Sequence, residues 1–244
     1  MNLKTPEMSN GSVYPRWHPS GRFVAFSSNS IVQQFHSSDI NKIEVSDLES
    51  SLVLYDIEKN EIIPVDLPDK EKYMDTYPEW SPDGTTMYFC RAPQVGERYD
   101  YRQTRYDLYR IPFDTVSRLF GEPELIFNAS NEGKSISFPR ISPDGRFIVM
   151  TYQDYGCFPI WHKETDLISL SLETLEYSNL ELNSDFPESY HSWSSNGRWL
   201  LFASRRDDGL TTRPYISFID NNGRSGKPFI RSEEHTSELQ SRQV

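Results

Sequence analysis

The sequence predicts an all-β fold, a β-propeller of four-stranded antiparallel blades with four blades present. One phrase recurs four times, as YPRWHPSGRFVAFSS, YPEWSPDGTTMYFCR, FPRISPDGRFIVMTY and YHSWSSNGRWLLFAS. The turn glycines of these copies, Gly21, Gly84, Gly145 and Gly197, are 63, 61 and 52 residues apart, a period that belongs to propellers and related arrays. Between the copies lie short runs rich in β-branched and aromatic residues, and almost no stretch carries a helical period.

Each blade element follows from local chemistry. A short segment ahead of each turn forms the first strand. In the turns, Pro82 and Pro143 preset φ at the first central position, Asp83 and Asp144 suit the second, and glycine then accepts a positive φ. The first copy uses His-Pro-Ser-Gly, and the fourth keeps an Asn-Gly pair without the proline. Second strands follow as RFVAFSS, TMYFCRA, RFIVMTY and RWLLFAS, and third strands as SLVLYDI, YDLYRIPF, TDLISLSL and RPYISFID. Outer strands are expected at EIIPVDL, PELIFN, EYSNLEL and GKPFI. Trp17, Trp80 and Trp193, with Ile141 in the third copy, precede the turns at matching places. Identical placement in every unit is what a repeated core needs, so these residues are expected to pack between adjacent blades rather than to stack on bases or sugars.

The chain has 244 residues, 36% hydrophobic and 25% charged, with a formal net charge of -11. That charge argues against nucleic acid or an anionic membrane as partner, because phosphate binding needs a basic surface. No apolar run approaches the roughly 18 residues that cross a bilayer. Residues 231–241, RSEEHTSELQS, spell one reading frame of a common DNA-sequencing adapter. The reading is therefore a propeller segment over 1–230 and a non-native, disordered tail over 231–244, the natural gene continuing past Ile230. Cys90 falls in a strand-like run and Cys157 in a loop-like one, and both are read as free thiols.

Long connections Ser28–Ser51, Ala92–Arg105, Gln153–Lys163 and Arg205–Thr212 emerge opposite the short turns. Long loops cost entropy and more often carry function, so this face is the expected binding surface. It holds His36, Tyr99, Tyr101, Arg102, Trp161 and His162, together with the run Arg205-Arg206-Asp207-Asp208. Two arginines beside two aspartates suit a carboxylate or phosphate, or else an internally paired turn. His162 beside Trp161 is a candidate ligand contact, with His36 and His191 as further candidates, or else these are ordinary surface or satisfied histidines; the three lie on different blades without metal-ligand spacing, so no metal and no cofactor is assigned. Gly-x-Ser-x-Gly, His-Glu-x-x-His, phosphate-loop and Cys-x-x-Cys-His signatures are missing, and the DNNG stretch reads as a hairpin turn rather than a calcium loop.

The aromatic, Ser-Pro-Asp-Gly and apolar-strand pattern over Tyr14–Ile230 resembles the bacterial TolB-like propeller family. Segments SYHSWSSNGRW, SRRDDG and YGCFPIWHK are similar to a secreted bacterial group described as cytochrome-biosynthesis- or translocation-like. That resemblance implies part of a larger, six- to eight-bladed propeller from a periplasmic or extracellular protein. Its haem motif is not carried over, because no Cys-x-x-Cys-His occurs here. The expected function is a non-enzymatic binding or assembly module whose partner is a protein or small ligand on the long-loop face. The alternative is the propeller of a prolyl-oligopeptidase-type serine peptidase without its hydrolase domain. A weaker third option is a lyase or hydrolase acting in the propeller mouth.

Overall fold

In the computed structural model, residues 10–35, 43–94, 96 and 100–230 are described; the tail at 231–244 lies outside them. Blade 1 is the sheet β1 (Gly11–Trp17), β2 (Phe23–Phe35), β3 (Ile43–Asp56) and β4 (Glu61–Pro64). Blade 2 comprises β5 (Tyr73–Trp80), β6 (Thr86–Pro93), β7 (Asp107–Asp114), β8 (Leu119–Phe120) and β9 (Glu124–Phe127), with β8 and β9 both paired to β7. Blade 3 is β10 (Ser135–Ile141), β11 (Phe147–Gln153), β12 (Asp166–Ser171) and β13 (Tyr177–Asn179). Blade 4 is β14 (Glu188–Trp193), β15 (Trp199–Ser204) and β16 (Arg213–Phe218). All pairings are antiparallel between neighbours in the chain, apart from the return of β9 to β7, and the result is the four-bladed β-propeller that the repeat predicts.

Two elements differ from expectation. GKPFI forms no strand; it meets β16 through the isolated bridge Ile216–Phe229 and through Gly226, whose amide donates to the Phe218 carbonyl at 2.8 Å and whose carbonyl accepts from Ser217 Oγ at 2.7 Å. The Ser28–Ser51 connection is mostly paired backbone, because β2 continues to Phe35 and β3 begins at Ile43. The register slips between Ser30 and Ile31, which bends this hairpin into an arm that leaves its own blade.

Apolar cores fill the three seams between blades. Phe23, Leu54, Trp80, Phe89 and Phe113 fill the seam of blades 1 and 2. Ile136, Ile148, Leu108 and Met74 fill that of blades 2 and 3. Leu167, Leu182, Leu200 and Phe202 fill the last. The residue before each turn inserts into the seam with the preceding blade: Trp80 in the first, Ile141 in the second, Trp193 in the third. Trp17 departs from the expected packing and is 65% exposed, because among the described residues no sheet precedes blade 1. The opposite outer face is open too, with Trp199, Leu201 and Phe218 exposed on blade 4.

The four turns are chained together. The glycines at 21, 84, 145 and 197 all take φ near +70, as the turn chemistry requires. Ser81 and Ser142 Oγ each donate to the aspartate two residues on, at 2.6 Å. His18 Nε2 lies 2.9 Å from the Gly84 carbonyl, while Pro82 sits against Gly145 and Pro143 against Gly197. Each turn thereby rests on the next.

Near the axis every first strand carries a bulge at the same place. The register slips between Val13 and Arg16, Thr76 and Glu79, Ser137 and Arg140, and Ser189 and Ser192. One aromatic in each bulge takes a left-handed backbone: Tyr14, Tyr77, Phe138 and Tyr190, with φ between 49 and 54. Such a conformation is costly for a bulky residue and persists only where packing over-determines it. Here the rings supply that packing, with centroids 4.1 Å apart for Tyr14–Tyr77, 4.5 Å for Tyr77–Phe138 and 5.2 Å for Phe138–Tyr190. Two residues beyond each ring stand Arg16, Glu79, Arg140 and Ser192. Glu79 Oε2 bridges Arg16 Nη2 at 2.9 Å and Arg140 Nη1 at 3.2 Å, so charges alternate across three blades.

Candidate functional site

The long-loop face is organised by the arm. From its hinge the arm runs over blade 2 to blade 3, and its polar side chains make its anchorage. Gln94 Nε2 donates to the Leu48 carbonyl at 2.8 Å. Asp47 accepts from Asn29 Nδ2 and from the Tyr106 hydroxyl, both at 2.8 Å, and Cys157 Sγ lies 3.6 Å from the same carboxyl. Burial pushes the Asp47 carboxyl up, against those hydrogen bonds. Further out, Glu44 Oε2 meets His162 Nε2 at 2.8 Å, and both side chains are almost fully buried. Beneath the arm, the Tyr77 hydroxyl donates to the Cys157 carbonyl at 2.9 Å and lies 3.1 Å from the Tyr14 hydroxyl. The aromatic ring cluster, the arm and the 153–163 loop thus form one layer across the axis.

The expected site residues divide into three groups. His36 and Tyr99 lie outside the described residues. A second group is committed to structure. His191 is buried, its Nε2 donates to the Val149 carbonyl at 2.8 Å, and burial lowers its pKa to about 3, so it is a neutral core histidine rather than a surface ligand. His162 is buried as well; burial opposes its protonation, but Glu164 and Glu44 outweigh that and raise its pKa to about 9. The Arg-Arg-Asp-Asp run does not pair within itself; three of its members are engaged by groups outside the run. Arg206 Nη2 donates to Glu188 Oε1 at 2.9 Å and to the Leu182 carbonyl at 2.7 Å. Asp207 accepts from the Tyr215 hydroxyl at 2.6 Å and faces Arg213 at 3.1 Å. Asp208 accepts from Thr211 Oγ1 and from the amides of Leu210 and Thr211, bonds that bring its pKa down to about 2.

The third group faces outward or stands ready. Arg102 is exposed at the 3-10 turn Tyr101–Gln103, its guanidinium 4.7 Å from the Tyr101 ring. Trp161, half-buried at the end of the 3-10 turn Pro159–Trp161, lies 3.4 Å beneath the Arg205 guanidinium. The structure therefore joins Trp161 to Arg205 across blades 3 and 4 and leaves Arg102 apart. Sequence reasoning missed Glu44, Asp47, Tyr106 and Tyr190. The bulge aromatics did carry a signal: Tyr14, Tyr77 and Phe138 each precede a proline, seven residues ahead of a turn glycine.

Among the described residues, no cluster of histidine, cysteine and carboxylates could hold a metal ion, and no helix is long and apolar enough to cross a membrane. Cys90 and Cys157 are free and buried, and burial raises both thiols well above their ordinary range.

Comparison with known proteins bears on the fold. No family model and no curated protein sequence matches the chain. Among solved structures, an auxiliary nutrient binding protein from Bacteroides thetaiotaomicron aligns at a TM-score of 0.53 and 12% identity, over 91% of this chain and 42% of its own. A structure from a study of two prolyl endopeptidases aligns at 0.54 and 14% identity, over 91% of this chain and 29% of its own. TolB from Acinetobacter baumannii aligns more loosely, at 0.47 and 15% identity, over 90% of this chain and 56% of its own. The chain thus spans less than half the length of the first two, and the likeness is one of propeller architecture.

Proposed function

We propose that this chain is a non-catalytic binding module of an exported protein, with the long-loop face as its interaction surface. The observation that carries this reading is the layer pinned across the axis by Glu44–His162 and Asp47–Tyr106. Such a layer presents a fixed surface and spends little ordering entropy on binding. The groups that nucleophilic chemistry would use are tied up: both thiols are held protonated by burial, His191 serves a carbonyl, and His162 serves carboxylates. Export and the larger parent propeller rest on the family resemblance.

A thermal-shift screen against small metabolites and peptides, with hits mapped by amide exchange, tests the reading. Protection at 153–163 and 205–212 supports it. Protection confined to the turns around 82–85 and 143–146, or turnover of peptide or ester substrates, overturns it. The peptidase-propeller alternative is decided by the flanking gene sequence, which would encode a Gly-x-Ser-x-Gly elbow.

A further inference from the structure

Arg205 stands out among the charged groups of the 205–212 loop. It is only 6% exposed, yet among the described residues no carboxylate pairs with it. Its Nε donates to Thr212 Oγ1 at 3.1 Å and one face of its guanidinium lies on Trp161, while Nη1 and Nη2 donate to no described residue. The carboxylates of its own loop and of β14 are engaged elsewhere: Glu188 by Arg206, Ser184 and Ser204, Asp207 by Tyr215 and Arg213, and Asp208 by Thr211 and two amides. A buried cation is ordinarily paired, because desolvating it alone is costly. This one is held by stacking, with its bidentate end unused. Burial pulls the guanidinium down from its usual range, against the Tyr190 phenol and Asp208.

We propose that Arg205, with Trp161 and Tyr190, is the recognition site for a monocarboxylate that carries a flat apolar ring. This deepens the binding-module reading and rests on it. The free Nη1 and Nη2 form a planar pair that matches the two oxygens of a carboxylate. A single guanidinium in a chain of net charge -11 favours a monoanion over a phosphate dianion. Tyr190, 42% exposed at the axis and edge-on to Phe138, offers the ring surface against which a flat group stacks.

The test titrates 4-fluorobenzoate into the protein by fluorine NMR, with inorganic phosphate as competitor. Saturable binding that Arg205→Lys weakens at least tenfold, and that Arg224→Ala on the turn face leaves unchanged, is expected. Arg205→Lys keeps the charge and removes the planar fork; should it unfold, the side-chain nitrogen signal of Arg205 in the unaltered protein must still shift on titration. Unchanged affinity in Arg205→Lys, no saturable binding, or equal displacement by phosphate overturns the proposal. Loss of benzoate binding while screen hits still protect 205–212 would sink the carboxylate site and leave the binding-module reading standing.

Discussion

His162 Nε2 and Glu44 Oε2, 118 residues apart in the chain, meet at 2.8 Å in a buried pair that fastens the arm of blade 1 to the loop of blade 3. Glu164 and Glu44 together raise the His162 pKa to about 9 against the opposing effect of burial, and the pair is the outermost anchor of the arm among the described residues. Its cost is desolvation and its return is geometry: removing Glu44 leaves the buried His162 with Glu164, at 3.6 Å from Nδ1, as its carboxylate partner.

Two histidines give stability opposite pH limbs. His162 has a folded pKa of about 9, above the roughly 6.5 of an unfolded histidine, so its contribution is complete below about 6.5 and is lost as pH rises toward 9. His191 has a folded pKa of about 3, so the unfolded chain binds a proton that the fold refuses, and stability falls as pH drops below about 6.5. Thermal melts from pH 5 to 9 should show a maximum near the middle. His162→Gln should flatten the alkaline limb and leave the acid limb in place.

The two tryptophans at matching positions should behave differently. Trp80 is buried in the first seam and Trp17 is exposed. Trp80→Ala should cost about 3–5 kcal/mol through cavity formation, whereas Trp17→Ala should stay within about 0.5 kcal/mol. Urea unfolding of both variants measures the difference; equal losses would contradict the seam assignment.

The turn glycines supply a second contrast. Gly21 and Gly84 share a positive φ, but a side chain at Gly21 would meet open space, whereas one at Gly84 would strike the His18 imidazole. Gly21→Ala should cost about 1–2 kcal/mol from backbone strain alone. Gly84→Ala should cost visibly more, since it also displaces His18 from the Gly84 carbonyl. Melting temperatures in the reverse order would rule out the chained-turn arrangement.

Beneath the arm, Tyr77→Phe keeps the stacked ring and deletes the hydroxyl that serves the Cys157 carbonyl. A loss of about 1–3 kcal/mol is expected from the orphaned buried acceptor. Exchange protection should fall first in the 153–163 loop; a uniform loss across all blades would argue against a local anchor.

What the sequence revealed and what it hid have physical reasons. The turns and seams were legible because Pro82, Asp83, Gly84 and Trp80 act locally and recur at fixed offsets. The arm was hidden because its strand pattern, SNSIVQQF paired with IEVSDLES, is polar enough to read as loop. The Glu44–His162 and Asp47–Tyr106 pairs join segments far apart in sequence, and no local pattern announces such contacts. Arg205 was picked out with its neighbours, but nothing in Arg205-Arg206-Asp207-Asp208 told which member would be left without an acid partner.

The Arg16–Glu79–Arg140 alternation has a consequence for how the blades take their order. The repeated phrase makes neighbouring sheets nearly interchangeable in shape, so a chain that shuffled or exchanged them would lose little packing. An order that set blade 1 beside blade 3 would, however, bring Arg16 against Arg140 beside the axis. One charged position on each of the first three sheets thus works as an address label, and swapping the residues at 79 and 140 should scramble the sequence of sheets only in part, since the alternation would survive between those two alone.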